Sequence, residues 1–97
     1  MIQIYERHMV GGIEHEHIAN VKWINQEASP KKYGESTRAE MVEWLDKSDD
    51  NLAYVEDRTV TGKRAYVGTI HPSGRPAYIR TYADKKWTNN LLSLPEY

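Results

Sequence analysis

Residues 77–95 read AYIRTYADKKWTNNLLSLP, and the fold turns on how this stretch is read. From Ala77 to Tyr82 the side chains alternate, so Tyr78, Arg80 and Tyr82 take one side of a strand while Ala77, Ile79 and Thr81 take the other. Asp84, Lys85 and Lys86 break the alternation as a turn does. Beyond Trp87 come Leu91, Leu92 and Leu94 in quick succession. Burying one leucine gives roughly 1.5–3 kcal/mol, enough to hold a segment that would otherwise fray. These leucines are expected to close the protein's own core; docking into a partner groove is the alternative. A strand followed by an apolar strap needs a sheet to belong to and a layer to pack against it.

Upstream, residues 64–71 read as the preceding strand, and Pro72-Ser73-Gly74-Arg75-Pro76 turns it onto the closing one. With Ser73-Gly74 at the tip, Ile70 should meet Ala77, Gly68 meet Ile79 and Tyr66 meet Thr81, on the side facing a helix. Val67, Thr69 and His71 would then share the open side with Tyr78, Arg80 and Tyr82. Residues 52–56 read as a short strand and 57–63 as a turn-rich connection. Thr37 with Glu40 is a capping box, predicting a helix that runs to Lys47 or Ser48. Met41, Val42, Trp44 and Leu45 form its apolar arc. Residues 26–35, with Ser29, Pro30 and Gly34, read as a loop.

At the other end, residues 2–10 and 13–25 flank Gly11-Gly12, a pair suited to a two-residue hairpin turn. That register sets Arg7 against Glu16 and places Ile2, Ile4, Ala19, Val21 and Trp23 on a core face. Toward the tip the same face would carry Glu6, His8, His15 and His17, with His8 opposite His15 and Glu6 opposite His17. Opposed Cβ atoms lie about 4.5–5.5 Å apart, so three imidazoles and a carboxylate are a candidate set for Zn²⁺ or another divalent metal. A pH-sensitive patch and a merely solvated tip are the other readings.

Composition bounds the rest. The chain has 97 residues, 39% hydrophobic and 28% charged, which fits one globular domain over residues 1–97. The expected class is α+β in the order ββαβββ: a mainly antiparallel sheet of four to five strands with one helix packed on one face. Three Trp, seven Tyr and no Phe supply the large side chains, and such amphipathic aromatics suit contact surfaces. A net charge of −1 argues against a dedicated duplex-DNA binder. The absence of cysteine excludes disulfides and thiolate metal sites and fits a reducing cytoplasm. No apolar run approaches ~18 residues and no signal-peptide pattern opens the chain, so no membrane role is expected. No phosphate-cradling glycine loop, nucleophile elbow or zinc-protease motif occurs, and neither an enzyme nor a cofactor is expected.

Tyr78-Ile79-Arg80-Thr81, Asp84, Asn89-Asn90-Leu91-Leu92 and Leu94-Pro95 together resemble a family of small bacterial and phage proteins catalogued as domain of unknown function 3892. His17-Ile18 with Val21 resembles that family's second-strand pattern. Its members often carry a cysteine near the end; this chain has Tyr97 there, so no thiol chemistry carries over. The resemblance implies a fold and a bacterial or phage setting, and no reaction. In that setting the leading expectation is a non-catalytic binding module that occupies a host macromolecule, a protein foremost. Its expected contact surface is Tyr78, Arg80 and Tyr82, with His17 and Arg75. The alternative on the same residues is a nucleotide or single-stranded nucleic acid, because aromatic rings stack on bases and a guanidinium binds phosphate. A homodimer through Trp87 or an uncovered edge strand is a further expectation.

Overall fold

The computed structural model describes residues 1–56, 63–83 and 86–97. Thr37 Oγ1 accepts the Glu40 N–H at 3.1 Å while Glu40 Oε1 accepts the Thr37 N–H at 2.8 Å, the reciprocal bonds of a capping box. Helix α1 (Arg38–Lys47) follows from it. At the far end the Asn51 side-chain amide donates to the Trp44 carbonyl at 2.8 Å, filling one of the acceptors a helix end leaves open. Met41 and Val42 are buried and Trp44 and Leu45 pack against the core, as their spacing predicts.

Among the described residues seven strands form one sheet: β1 (Ile2–Met9), β2 (Ile18–Asn25), β3 (Lys32–Thr37), β4 (Ala53–Glu56), β5 (Arg64–Ile70), β6 (Tyr78–Ala83) and β7 (Lys86–Thr88). Their order is β3-β2-β1-β4-β5-β6-β7, antiparallel throughout except for the parallel pair β1–β4. The α+β class with a helix on one face stands, but the sheet has seven strands instead of four or five. The two extra strands are its edges. β3 lies largely within the expected loop 26–35, and β7 follows the break after β6. An edge strand is paired on one side only and can be polar on both faces, so neither segment carries an alternating apolar signal. α1 packs against β2, β3, β5 and β6, strands from both halves of that order, so the sheet curls around the helix.

Two registers differ from expectation. In the first hairpin Ile4 faces Trp23, Arg7 faces Val21, His8 faces Asn20 and Met9 faces Ile18. No two-residue turn forms there. Gly11, with φ +83°, opens a wider loop that ends in a 3₁₀ turn, His15–His17. A bulge between Ile4 and Glu6 changes which residues point inward: Ile2 and Ile4 before it, Arg7 and Met9 after it. Arg7 therefore does not meet Glu16. Between β5 and β6, Ile70 faces Tyr78, Gly68 faces Arg80 and Tyr66 faces Tyr82, one residue away from the expected pairing. A slip of one exchanges the faces of a strand. Val67, 8% exposed, goes inside opposite Thr81, and Tyr66 lies exposed on the other face beside Tyr82. The expected connection after β4 and the turn at Asp84 fall at residues 57–62 and 84–85, outside the described residues.

The leucine strap closes the core as predicted. A 3₁₀ turn, Asn90–Ser93, inserts Leu91, and Leu94 follows it into the interior. Among the described residues β4 pairs with β1 only at Ile2 and Gln3, which leaves the rest of that edge to another partner. The strap fills it: Arg7 N–H donates to the Pro95 carbonyl and Tyr97 N–H to the Arg7 carbonyl, both at 3.0 Å. Arg7 Nε also donates to the Leu94 carbonyl at 3.0 Å.

Candidate functional site

β7 pairs only with residues Thr81–Ala83 of β6. The 3₁₀ turn His15–His17 packs against β6. Where that turn meets β6 lies a recess of about 220 Å³ lined by Glu14, His15, Glu16, Arg75, Tyr78 and Arg80. Three of the expected contact residues, Arg75, Tyr78 and Arg80, meet here. Both guanidinium groups have partners. Arg75 pairs with Glu16 at 3.4 Å. Arg80 donates through Nε to the Thr88 carbonyl at 3.3 Å and through a terminal nitrogen to Asn89 Oδ1 at 3.2 Å. His15 is buried, and its Nε2 has no hydrogen-bond partner. Burial, and after it the neighbouring Arg80 charge, hold its pKa below the usual 6.5, against weaker opposing pulls from Glu14 and the Thr88 backbone.

Tyr82, the fourth expected residue, belongs to a different feature. On the same outer side of β6, Tyr66, Gly68, Tyr82 and Trp87 with Val67 line a shallow apolar groove. Tyr82 and Trp87 meet edge to face with ring centroids 5.4 Å apart. Gly68 gives the indole its seat: a Cβ there would stand 3.1 Å from the Trp87 ring. Even so packed, Tyr66, Tyr82 and Trp87 remain 45%, 40% and 46% exposed. The slipped β5–β6 pairing explains why sequence reading missed Tyr66 and Gly68, which it had turned inward.

The family described as protein of unknown function DUF3892 matches residues 3–95. The chain belongs to the DUF3892 family. Neither the curated proteins nor the solved structures gave a match. In this DUF3892 protein the match takes in the recess, the groove and the strap up to Pro95.

The candidate metal ligands Glu6, His8, His15 and His17 do not assemble, because the register that would gather them does not form. Glu6 faces outward and pairs with Lys22 at 3.6 Å. His8 lies on the same outer face, its Nδ1 against the Tyr97 carbonyl and its ring 5.5 Å from the Tyr97 ring. His15 lies in the recess, and His17 packs over Gly12 with a buried, unpartnered Nδ1. Among the described residues no group of three or more His, Cys, Asp or Glu side chains could hold a metal ion. His17 likewise does not line the recess with Tyr78 and Arg80. What gathers around His8 instead is the end of the strap: Lys22 Nζ sits 4.4 Å from the Tyr97 ring centroid and Tyr97 donates to Glu35 at 2.5 Å. Burial and that Glu35 carboxylate push the Tyr97 hydroxyl well above its ordinary pKa.

Proposed function

We propose that this DUF3892 protein is a non-catalytic binding module that seats a protein partner on the groove of Tyr66, Gly68, Tyr82 and Trp87. The observation that carries this reading is three large aromatic side chains left about half exposed on one continuous sheet face. Clustered aromatics with apolar bodies and polar tips are the usual anchors of protein interfaces. An isolated exposed aromatic needs no explanation, whereas a contiguous patch does. The bacterial or phage setting suggested by the family likeness makes a host protein, occupied and thereby inhibited, the concrete form of the proposal. A cytoplasmic location is consistent with a cysteine-free chain, and no helix among the described residues is long and apolar enough to cross a membrane. A nucleotide ligand has weaker support, since Arg75 and Arg80 are already engaged and two glutamates stand beside them.

Site-specific photo-crosslinking tests the reading. A benzophenone side chain replacing Trp87 should give a discrete adduct in host cells, and one replacing Glu43 on the exposed side of α1 should not. Adding Tyr82→Ala to the first protein should cut its adduct yield several-fold. Equal labelling from both positions, or none from position 87, would overturn the proposal.

A further inference from the structure

Toward the other end of the sheet, a cavity of about 250 Å³ opens between α1 and the β2–β3 edge. It shares no residue with the aromatic groove. Ile2 and Met41 form its apolar lining together with two indoles, Trp23 and Trp44. The Trp23 wall is held in place twice. Its ring lies across Gly34 on the neighbouring strand so closely that any Cβ there would overlap it, and its Nε1–H donates to Ser36 Oγ at 3.0 Å. A pre-formed, mainly apolar cavity with a few convergent polar groups is the usual form of a small-molecule site.

The polar lining decides what such a site takes. The Lys32 side chain has no hydrogen-bond or ion-pair partner among the described residues. Ser36 Oγ already accepts from Trp23, which leaves its own proton to donate. Asn25 Oδ1 accepts the Glu27 N–H at 3.1 Å, leaving the amide NH₂ as a donor. Glu40 is the anion on this rim, and its Oε1 is engaged by the Thr37 N–H. Apart from the second Glu40 oxygen, the groups left unanswered are donors, one of them a full positive charge. The volume falls just below the roughly 300–1,000 Å³ of drug-sized pockets, which suits one or two fused rings and not a dinucleotide.

We infer that this cavity is a binding site for a small planar aromatic carboxylate, its ring between Trp23 and Trp44 and its carboxylate on Lys32, Ser36 and Asn25. Such a ligand answers each open donor and fills the apolar space without stranding a polar atom. Indole-3-carboxylate and its neutral counterpart indole are the probes, titrated into the ¹⁵N-labelled full chain. The three tryptophan indole N–H signals are the readout. Indole-3-carboxylate should shift Trp23 and Trp44 saturably, leave Trp87 in place, and bind about three- to tenfold more tightly than indole. Lys32 is exposed on an edge strand, so Lys32→Gln should fold normally. It should abolish the preference for the carboxylate while leaving indole affinity unchanged. Movement of the Trp87 signal with or instead of the other two would place binding on the groove and overturn the inference. So would the absence of saturable shifts, or a carboxylate preference that survives Lys32→Gln.

Discussion

His15 shows how a single residue can couple this fold to proton concentration. Sequence spacing places it at an exposed hairpin tip, where it would titrate freely. The wide loop instead buries it against β6, with the Arg80 charge close by. Both effects disfavour the imidazolium in the folded chain only. Once the pH falls below 6.5, the unfolded chain takes up a proton that the folded chain resists. Stability is therefore complete above that value and declines as the pH drops through it, until folded His15 titrates too. His15→Gln should flatten this decline. Urea midpoints across a pH series would measure it, and the remaining histidines, common to both proteins, drop out of the comparison. An unchanged slope would mean that His15 is protonated as easily folded as unfolded. Thr81 is as well hidden from sequence reading. Alternation puts it on the inward face of β6, but only the fold reveals its hydroxyl joining Thr88 Oγ1 at 2.6 Å, the Thr88 carbonyl at 3.1 Å and the Asn90 N–H at 3.2 Å.

Elements were legible in proportion to how locally they are specified. α1 could be read almost to the residue because a capping box and a 3.6-residue period are written into consecutive positions. β6 and the strap were equally plain, since alternation and a leucine run need no knowledge of neighbours. Pairing depends on neighbours. The bulge in β1 and the one-residue slip between β5 and β6 follow from what the two strands bury together, and a single strand does not record that. The same slip hid half of the aromatic groove, while Tyr82 and Trp87 could be picked out one at a time. β3 is the extreme case: a polar edge whose one distinctive residue, Gly34, resembles a turn glycine. Its φ is ordinary, and what it supplies is room for the Trp23 indole. Gly34→Ala should therefore destabilise the protein although β-strands usually tolerate alanine at least as well as glycine. The added methyl must displace either the indole or the strand, at a cost of about 1–3 kcal/mol. Chemical denaturation would read the loss, and the Trp23 indole N–H signal should move as its bond to Ser36 breaks. A neutral result would show that β3 is free to lift away.

At the scale of the molecule the chain is held together by its two ends. β1 stands near the middle of the sheet but has a β4 partner along only two residues, and the strap supplies the missing one. Arg7 links them through its backbone, through Nε to Leu94, and through its guanidinium to Glu96 at 3.6 Å. Leu91, fully buried, anchors the strap, and Thr81 receives the backbone just ahead of it. The same segment thus both closes the core and completes the sheet. Leu91→Ala should cost about 2–5 kcal/mol, the usual price of emptying a buried leucine site. If the strap belongs to the global folding unit, amide exchange at Tyr97 in the wild-type protein should be slow and should proceed by whole-molecule unfolding. In Leu91→Ala, the Tyr97 amide and core amides such as Ile79 should then lose protection by the same amount. Should Tyr97 exchange quickly in the wild-type protein while Ile79 stays protected, the strap opens by itself, and the edge of β1 becomes a place where another chain can add a strand.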